Sequence, residues 1–206
     1  MRVAIIGTGI AGNVVAYKLR DMHDITVFEA GAYVGGHTNT VDVQDGETTL
    51  AVDTGFIVFN DRTYPNFNAL LAELGQEYKD TGMSFSVQAK NGDLEYCGSS
   101  IPQLFAQRSN LLRPSFYRMI ADILRFNRSV MEGPGIYDDS QVLGDYLNQN
   151  GYSREFREHY IVPMAAAIWS AGSGAVLDMP LSFLAQFFYN HGLLQLADRP
   201  QWRVVE

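Results

Sequence analysis

The chain holds a single cysteine, Cys97, among 206 residues. One thiol excludes an internal disulfide and any cysteine-built zinc site, and it fits a reducing compartment. Cys97 ends a candidate hairpin strand, so it reads as structural. Positive charge is also scarce: 15 Lys and Arg stand against 23 Asp and Glu, a net charge of −8. That balance argues against nucleic acid as a partner, because phosphate binding draws on clustered Lys and Arg. No apolar run approaches the length that spans a bilayer. Residues 1–19 have the basic start and apolar stretch of a signal peptide, but glycines interrupt the stretch. Lys18, Arg20 and Asp21 then stand where a cleavage site belongs, so the expectation is a soluble, cytoplasmic protein. No serine–histidine–acid set, metal cluster or pair of catalytic carboxylates stands out.

What is present is apolar bulk and a glycine-rich opening. Hydrophobic residues make up 47% of the chain and aromatics 12%, enough to bury a sizeable core. Residues 3–6 (VAII) read as a short strand buried on both faces. Ile10, Val14, Tyr17 and Lys18 recur at helical spacing, with Val15 and Leu19 continuing the apolar face. Residues 25–28 form a second apolar run, which completes a βαβ start with a right-handed crossover.

Between the first strand and the helix, Gly7, Gly9 and Gly12 spell G-x-G-x-x-G. In that setting the first glycine permits the tight turn and the second lets backbone approach a pyrophosphate. The third allows helix to pack closely on strand, and the helix start offers N–H groups and a positive dipole end to phosphate. Glu29 follows about 20 residues after Gly9, at the end of the second strand, where a carboxylate can accept from a ribose diol. The acid disfavours a 2′-phosphate, so NADP is not expected in this pocket.

Further along, 40–43 and 49–52 flank Asp45-Gly46 as a hairpin, and 84–89 and 93–97 flank Asn91-Gly92 as another. Residues 65–74 read as a helix with Phe67, Leu70, Leu71 and Leu74 on one face and Gly75 as its stop. From Ser115 the chain turns helical, with an apolar stripe of Phe116, Met119, Ile120, Ile123 and Leu124. Helices are expected at 143–150, 155–169 and 181–196, punctuated by Gly133-Pro134-Gly135 and Asp178-Met179-Pro180. The fold class is therefore α/β. A Rossmann-like βαβ part spans 1–80, and a mixed hairpin-plus-helical part spans 81–206.

The segment EAGAYVGGHTNT, beginning at Glu29, places Gly35-Gly36 six residues beyond the acid, where an NAD domain would run into a helix. It resembles the E-A-x-x-R-x-G-G-R pattern of the flavin-containing amine oxidase superfamily. Glu29, Ala30, Gly35 and Gly36 match; Tyr33 and His37 replace the arginines. The stretch AVDTGFIVFNDRTYPNFNALLAELG, 51–75, is similar to that superfamily's next motif. Both stretches are most like bacterial predicted NAD/FAD-binding oxidoreductases of the amine oxidase and phytoene desaturase type. HYIVPMAAAIWSA at 159–171 resembles them more loosely.

The resemblance implies FAD as cofactor and hydride transfer from a C–H bond to flavin N5. It implies that Gly7, Gly9, Ile10, Ala11 and Gly12 cradle the pyrophosphate, and that Glu29, with Ala30 beside it, holds the adenosine ribose. It places Gly36, His37 and Thr38 at the phosphates or ribityl chain, and Gly55, Phe56 and Ile57 beside the isoalloxazine. In that superfamily the chain returns to the nucleotide-binding sheet after the substrate domain. QWRVVE at 201–206 looks like the entrance to that return, so an N-terminal portion of a longer enzyme is expected.

Other candidates keep two readings each. His37 is a cofactor contact or a polar loop residue, and His159 is an acid–base at the flavin or a solvated helix residue. Tyr160, Met164, Ile168 and Trp169 line an apolar substrate pocket or belong to the core, as do Phe187, Phe188 and Tyr189. Arg113, Arg118, Arg125 and Arg128 form a solvated face or a peripheral membrane surface admitting a lipid-like substrate. The expected substrate is a hydrophobic small molecule, lipid- or polyene-like, ahead of an amine. Two alternatives stand beside it: a non-catalytic nucleotide-binding module and an NAD-dependent dehydrogenase.

Overall fold

The computed structural model describes residues 1–89, 92–131, 137–193 and 200–205. The chain divides into two compact units. The first comprises Met1–Phe59, Gly75–Lys79 and Arg203–Glu206, and the second Asn60–Leu74 and Asp80–Trp202.

In the first unit β1 (Arg2–Ile6) and β2 (Asp24–Phe28) pair in parallel, from Arg2 opposite Asp24 to Ile6 opposite Phe28. Helix α1 (Ile10–Leu19) makes the crossover between them. The expected burial of these elements does not hold. Only Ile5 of β1 is buried, Ile6 is 80% exposed, Phe28 is 53% exposed, and α1 buries no residue. The physical reason is the width of the sheet. Two strands and one helix leave apolar faces with nothing packed on them among the described residues. Strands β3 (Asn39–Asp45) and β4 (Thr48–Gly55) form the first expected hairpin, with a bulge between Asn39 and Thr40. Its two-residue loop is Gly46-Glu47, one residue later than Asp45-Gly46, because Gly46 supplies the positive φ (+62°).

Strand β5 (Phe59–Asn60) leads into α2 (Pro65–Leu74), whose bounds match the sequence pattern. Asn60 prepares that helix, its Oδ1 accepting from the amides of Arg62 and Thr63 at 2.9 Å each. Of the expected apolar face only Leu71 is buried, and Leu74 is exposed. After α2, Gly75 takes the positive φ (+66°) of a helix stop. Strand β6 (Tyr78–Thr81) follows.

The second unit holds the large core. The hairpin of β7 (Ser86–Gln88) and β8 (Glu95–Cys97) forms as expected; Asn91 of its turn lies outside the described residues. Next come α3 (Ile101–Leu104), a 3-10 turn (Arg108–Leu112) and α4 (Pro114–Met131). The inward face of α4 is Phe116, Met119, Phe126 and Val130, with buried Asp122 among them. Leu124, expected in that stripe, is 52% exposed because its turn of the helix carries it beyond the buried face. The Gly133-Pro134-Gly135 segment lies outside the described residues. Helices α5 (Leu143–Gln149), α6 (Arg154–Phe156), α7 (Val162–Trp169), α8 (Ser173–Leu177) and α9 (Leu181–Asn190) complete the bundle. The last six residues of the helix expected at 181–196 fall partly outside the described range, and α9 ends at Asn190. Strand β9 (Trp202–Val205) follows.

The single helix expected over 155–169 is broken by a π-helical segment, Arg157–Ile161. Pro163 supplies the reason. It has no N–H to give the carbonyl four residues back, which is that of His159. The buried Tyr96 hydroxyl donates to that carbonyl instead, at 2.6 Å. No described helix is long and apolar enough to cross a membrane.

Candidate functional site

The candidate site lies in the first unit, where a strand must turn sharply into a helix. Gly7 takes φ +89°, a conformation that L side chains resist, while its amide donates to the Phe28 carbonyl at 2.7 Å. A methyl on Gly12 would overlap the Gly7 carbonyl oxygen, so turn and helix approach as closely as backbone allows. A methyl on Gly9 would meet nothing within 4 Å. That side of the turn is open. No side chain caps the start of α1, so the amides of Ile10, Ala11 and Gly12 face outward as helix-start donors.

Glu29 closes the cradle from β2. Its Oε2 accepts from the Thr8 amide at 2.8 Å and from the Thr8 hydroxyl, and its Oε1 accepts from the Gly31 amide at 2.7 Å. These bonds favour the carboxylate form, the Thr8 hydroxyl most, then the Gly31 and Thr8 amides, and they hold its pKa down to about 2. A smaller contribution comes from the amide of Ala30. Glu29 is thus a fixed anion, with acceptor capacity left on Oε1. Thr8 was not singled out in the sequence; the only cue was a hydroxyl residue between the first two glycines. The Asn13 amide steadies it, Nδ2 donating to the Thr8 carbonyl at 2.8 Å.

The second glycine pair folds back onto the first. The Gly35 amide donates to the Thr8 carbonyl at 3.1 Å, and a Cβ on Gly36, at φ +63°, would sit 2.8 Å from the Gly9 Cα. Gly36 therefore serves backbone contact with the turn. Thr38 closes its own loop, the hydroxyl donating to the Gly35 carbonyl at 2.8 Å. Tyr33 donates to the Gly36 carbonyl at 3.1 Å. A phenol thus braces the loop where the superfamily pattern has an arginine. A methyl on buried Gly55 would overlap the His37 carbonyl, so two candidate flavin contacts meet here. Phe56 follows in the left-handed region (φ +53°), strained for a bulky residue, and both it and Ile57 are exposed. The site residues from Gly7 to Ile57 thus gather on connected loops of one unit. The donor set fits a dinucleotide: backbone N–H groups for the pyrophosphate, an open approach at Gly9, and an anchored carboxylate for hydroxyls.

In the second unit Tyr160 is buried in the core, and Met164 and Trp169 pack against it. Trp169 lies 4.7 Å from Phe187 and 5.4 Å from Phe183, ring centre to ring centre, while Ile168 is exposed. The arginines of the α4 segment have protein partners in three cases. Arg113 donates to the Asp93 carbonyl, Arg118 lies 3.9 Å from Glu155, and Arg125 bonds Asp122 at 2.8 Å and stacks on Tyr152.

Comparison with known proteins bears on the fold. Residues 5–74 match the family model described as an NAD(P)-binding Rossmann-like domain. No protein of curated function matches the chain. Among solved structures, cyclohexylamine oxidase from Brevibacterium oxydans aligns over 98% of this chain at 20% identity and TM-score 0.63. Putrescine oxidase bound to putrescine aligns over the whole chain at 20% identity and TM-score 0.54. A fatty acid isomerase from P. acnes aligns over 92% at 16% identity and TM-score 0.50. The chain spans 45%, 46% and 44% of those three proteins. Residues 5–74 thus resemble an NAD(P)-binding Rossmann-like domain, and the chain shares the fold of the corresponding part of the amine oxidases and related oxidoreductases.

Proposed function

We propose that the first unit binds FAD and that the chain is part of a flavin-dependent oxidoreductase. The observation that carries this reading is the loop after Glu29. It does not enter a helix but doubles back so that Gly36 rests on Gly9, which supports the flavin-type pattern over that of an NAD domain. The amides at the start of α1 would take the pyrophosphate, and Glu29 would accept from the adenosine ribose. Gly36, His37 and Thr38 would border the linking chain, with Gly55, Phe56 and Ile57 toward the ring. Bound there, the cofactor would supply hydride acceptance at its N5 from a substrate C–H bond. The protein's share is to bind, orient and keep water away.

The substrate we infer is apolar, lipid- or polyene-like. Tyr33 and His37 in place of two arginines, the aromatic packing of α7 against α9 and the fatty acid isomerase among the structural neighbours support it. An amine is the second reading, favoured by the names of the two oxidases.

The test uses the 206-residue chain. Purified protein should absorb at about 450 nm, as oxidised flavins do, or acquire that band with FAD. FAD should raise its thermal midpoint, since a ligand that binds the native state stabilises it. Stabilisation by NADH and not FAD would replace the reading with an NAD-dependent dehydrogenase. A colourless protein stabilised by neither would leave a non-catalytic module. With the flavin loaded, anaerobic bleaching by a polyunsaturated fatty acid and not by cyclohexylamine would support the apolar substrate; the reverse would establish the amine.

A further inference from the structure

Both tryptophans of the chain, Trp169 and Trp202, adjoin one aromatic group in the second unit. Ring centres lie 4.7 Å apart between Trp169 and Phe187, 3.8 Å between Phe187 and His191, and 6.2 Å between His191 and Trp202. The group ends at Tyr64, whose hydroxyl oxygen is 3.2 Å from His191 Nε2. Flavin binding in the first unit assigns these residues no role. We propose that Tyr64 is a proton-coupled one-electron donor that refills oxidised Trp169 or Trp202, with His191 as the base that takes its proton.

The direction of the hydrogen bond decides the chemistry. His191 Nδ1 lies 2.9 Å from the Phe187 carbonyl oxygen. A carbonyl only accepts, so Nδ1 carries the ring hydrogen of the neutral imidazole. Nε2 then holds the lone pair, and the Tyr64 hydroxyl donates to it. Burial raises the Tyr64 pKa and lowers that of His191, so an intact phenol faces a free base. Both partners are held in place. The Tyr64 carbonyl accepts from the Asn68 amide at 2.9 Å and from Asn68 Nδ2 at 2.7 Å, and the His191 amide donates to the Phe187 carbonyl at 3.0 Å. The hydroxyls of Tyr33, Tyr96, Tyr117 and Tyr137 donate instead to backbone carbonyls, which take up no proton.

A phenol that loses an electron becomes a strong acid, so its oxidation is easiest where a base already waits for the proton. Trp169 and Trp202 are only partly buried, so a one-electron oxidant at the surface of the unit can reach them. That oxidant takes one electron from a tryptophan, and Tyr64 returns one electron to it across the packed rings. The Tyr64 O–H bond breaks as an N–H bond forms at His191 Nε2. The products are a neutral tyrosyl radical, a histidinium, a restored tryptophan and the reduced oxidant. Nδ1–H keeps the Phe187 carbonyl throughout, while Nε2–H now donates back to the radical oxygen.

The test oxidises the 206-residue chain with photogenerated ruthenium(III) tris-bipyridine. Transient absorption should show a tryptophanyl radical giving way to a tyrosyl radical, more slowly in heavy water. In a chain carrying 15N-histidine, electron–nuclear double resonance should couple that tyrosyl radical to a histidine nitrogen. Tyr64→Phe should remove most of the tyrosyl signal. His191→Phe keeps a stacked ring but no base, so tyrosyl formation should slow about tenfold, the rate equivalent of one lost hydrogen bond. A tyrosyl radical without histidine coupling, an unchanged yield in Tyr64→Phe, an unchanged rate in His191→Phe, or oxidation that stops at tryptophan would overturn the proposal. The labelled, otherwise unmodified chain decides the matter even if a variant fails to fold. None of these readouts depends on bound flavin, so their failure is separate from a failure of the flavin reading.

Discussion

Glu29 and Thr8 lie 21 positions apart and share two hydrogen bonds, the Thr8 amide donating at 2.8 Å and the Thr8 hydroxyl donating to the same carboxylate oxygen. One residue belongs to the glycine turn and the other directly follows β2. Their bonding turns a loose glycine loop into a cradle of set shape. It also fixes the negative charge on the Glu29 carboxylate.

Thr8→Val removes the hydroxyl, the largest cause of the low Glu29 pKa, and keeps the amide. The Glu29 pKa should rise from about 2 toward the usual carboxylate range yet stay below it, since the Gly31 and Thr8 amides remain. A carboxyl-carbon NMR titration reads this directly. Because the folded pKa is depressed, any stability linked to Glu29 is present above the unfolded pKa and is lost as pH falls toward 2. The variant should show a weaker loss across that acid window and should bind FAD less tightly.

Gly9→Ala and Gly12→Ala should separate binding from folding. The Gly12 methyl would overlap the Gly7 carbonyl, and overpacking of this kind costs roughly 1–3 kcal/mol. The Gly9 methyl meets nothing within 4 Å at an ordinary φ of −65°, so stability should change by less than about 0.5 kcal/mol. Yet that methyl occupies the open approach to the turn, so FAD should bind the Gly9 variant more weakly. Urea unfolding and flavin titration measure the two effects.

His191 predicts a pH dependence in the second unit. Burial lowers its pKa, because the ring lies half-buried, stacked 3.8 Å from Phe187, with the Tyr64 hydroxyl 3.2 Å from Nε2. The neutral ring is favoured in the folded chain. Its contribution is present above the unfolded value near 6.5 and declines as pH falls below it. Urea midpoints at pH 7.5 and 5.5 should differ more in the native chain than in His191→Phe.

Asp122→Ala should destabilise by about 1–3 kcal/mol, since the buried carboxylate accepts from Arg125 at 2.8 Å and from the Ser153 amide at 2.9 Å. Arg125→Lys should be milder, because the amide bond to Ser153 survives. Urea unfolding of both variants, with unchanged flavin binding in the first unit, checks this.

Local chemistry was legible in the sequence. Turn glycines, a strand of parallel register, two hairpins and α2 follow from residue-by-residue preferences: positive φ at Gly7, Gly46 and Gly75, and apolar spacing at residues 65–74. Each is decided by neighbours a few residues away. Burial was not legible, because it depends on what packs against an element. The same apolar pattern that buries Phe116 and Phe126 leaves Ile6 and Phe28 exposed. Nor could spacing show that Thr8 reaches Glu29, that Gly36 rests on Gly9, or that Tyr96 meets the carbonyl Pro163 leaves open. The sequence alone determined which residues could turn, pair and carry charge. Only the tertiary structure decided which of them meet, since contacts between distant residues depend on the path of the chain in space.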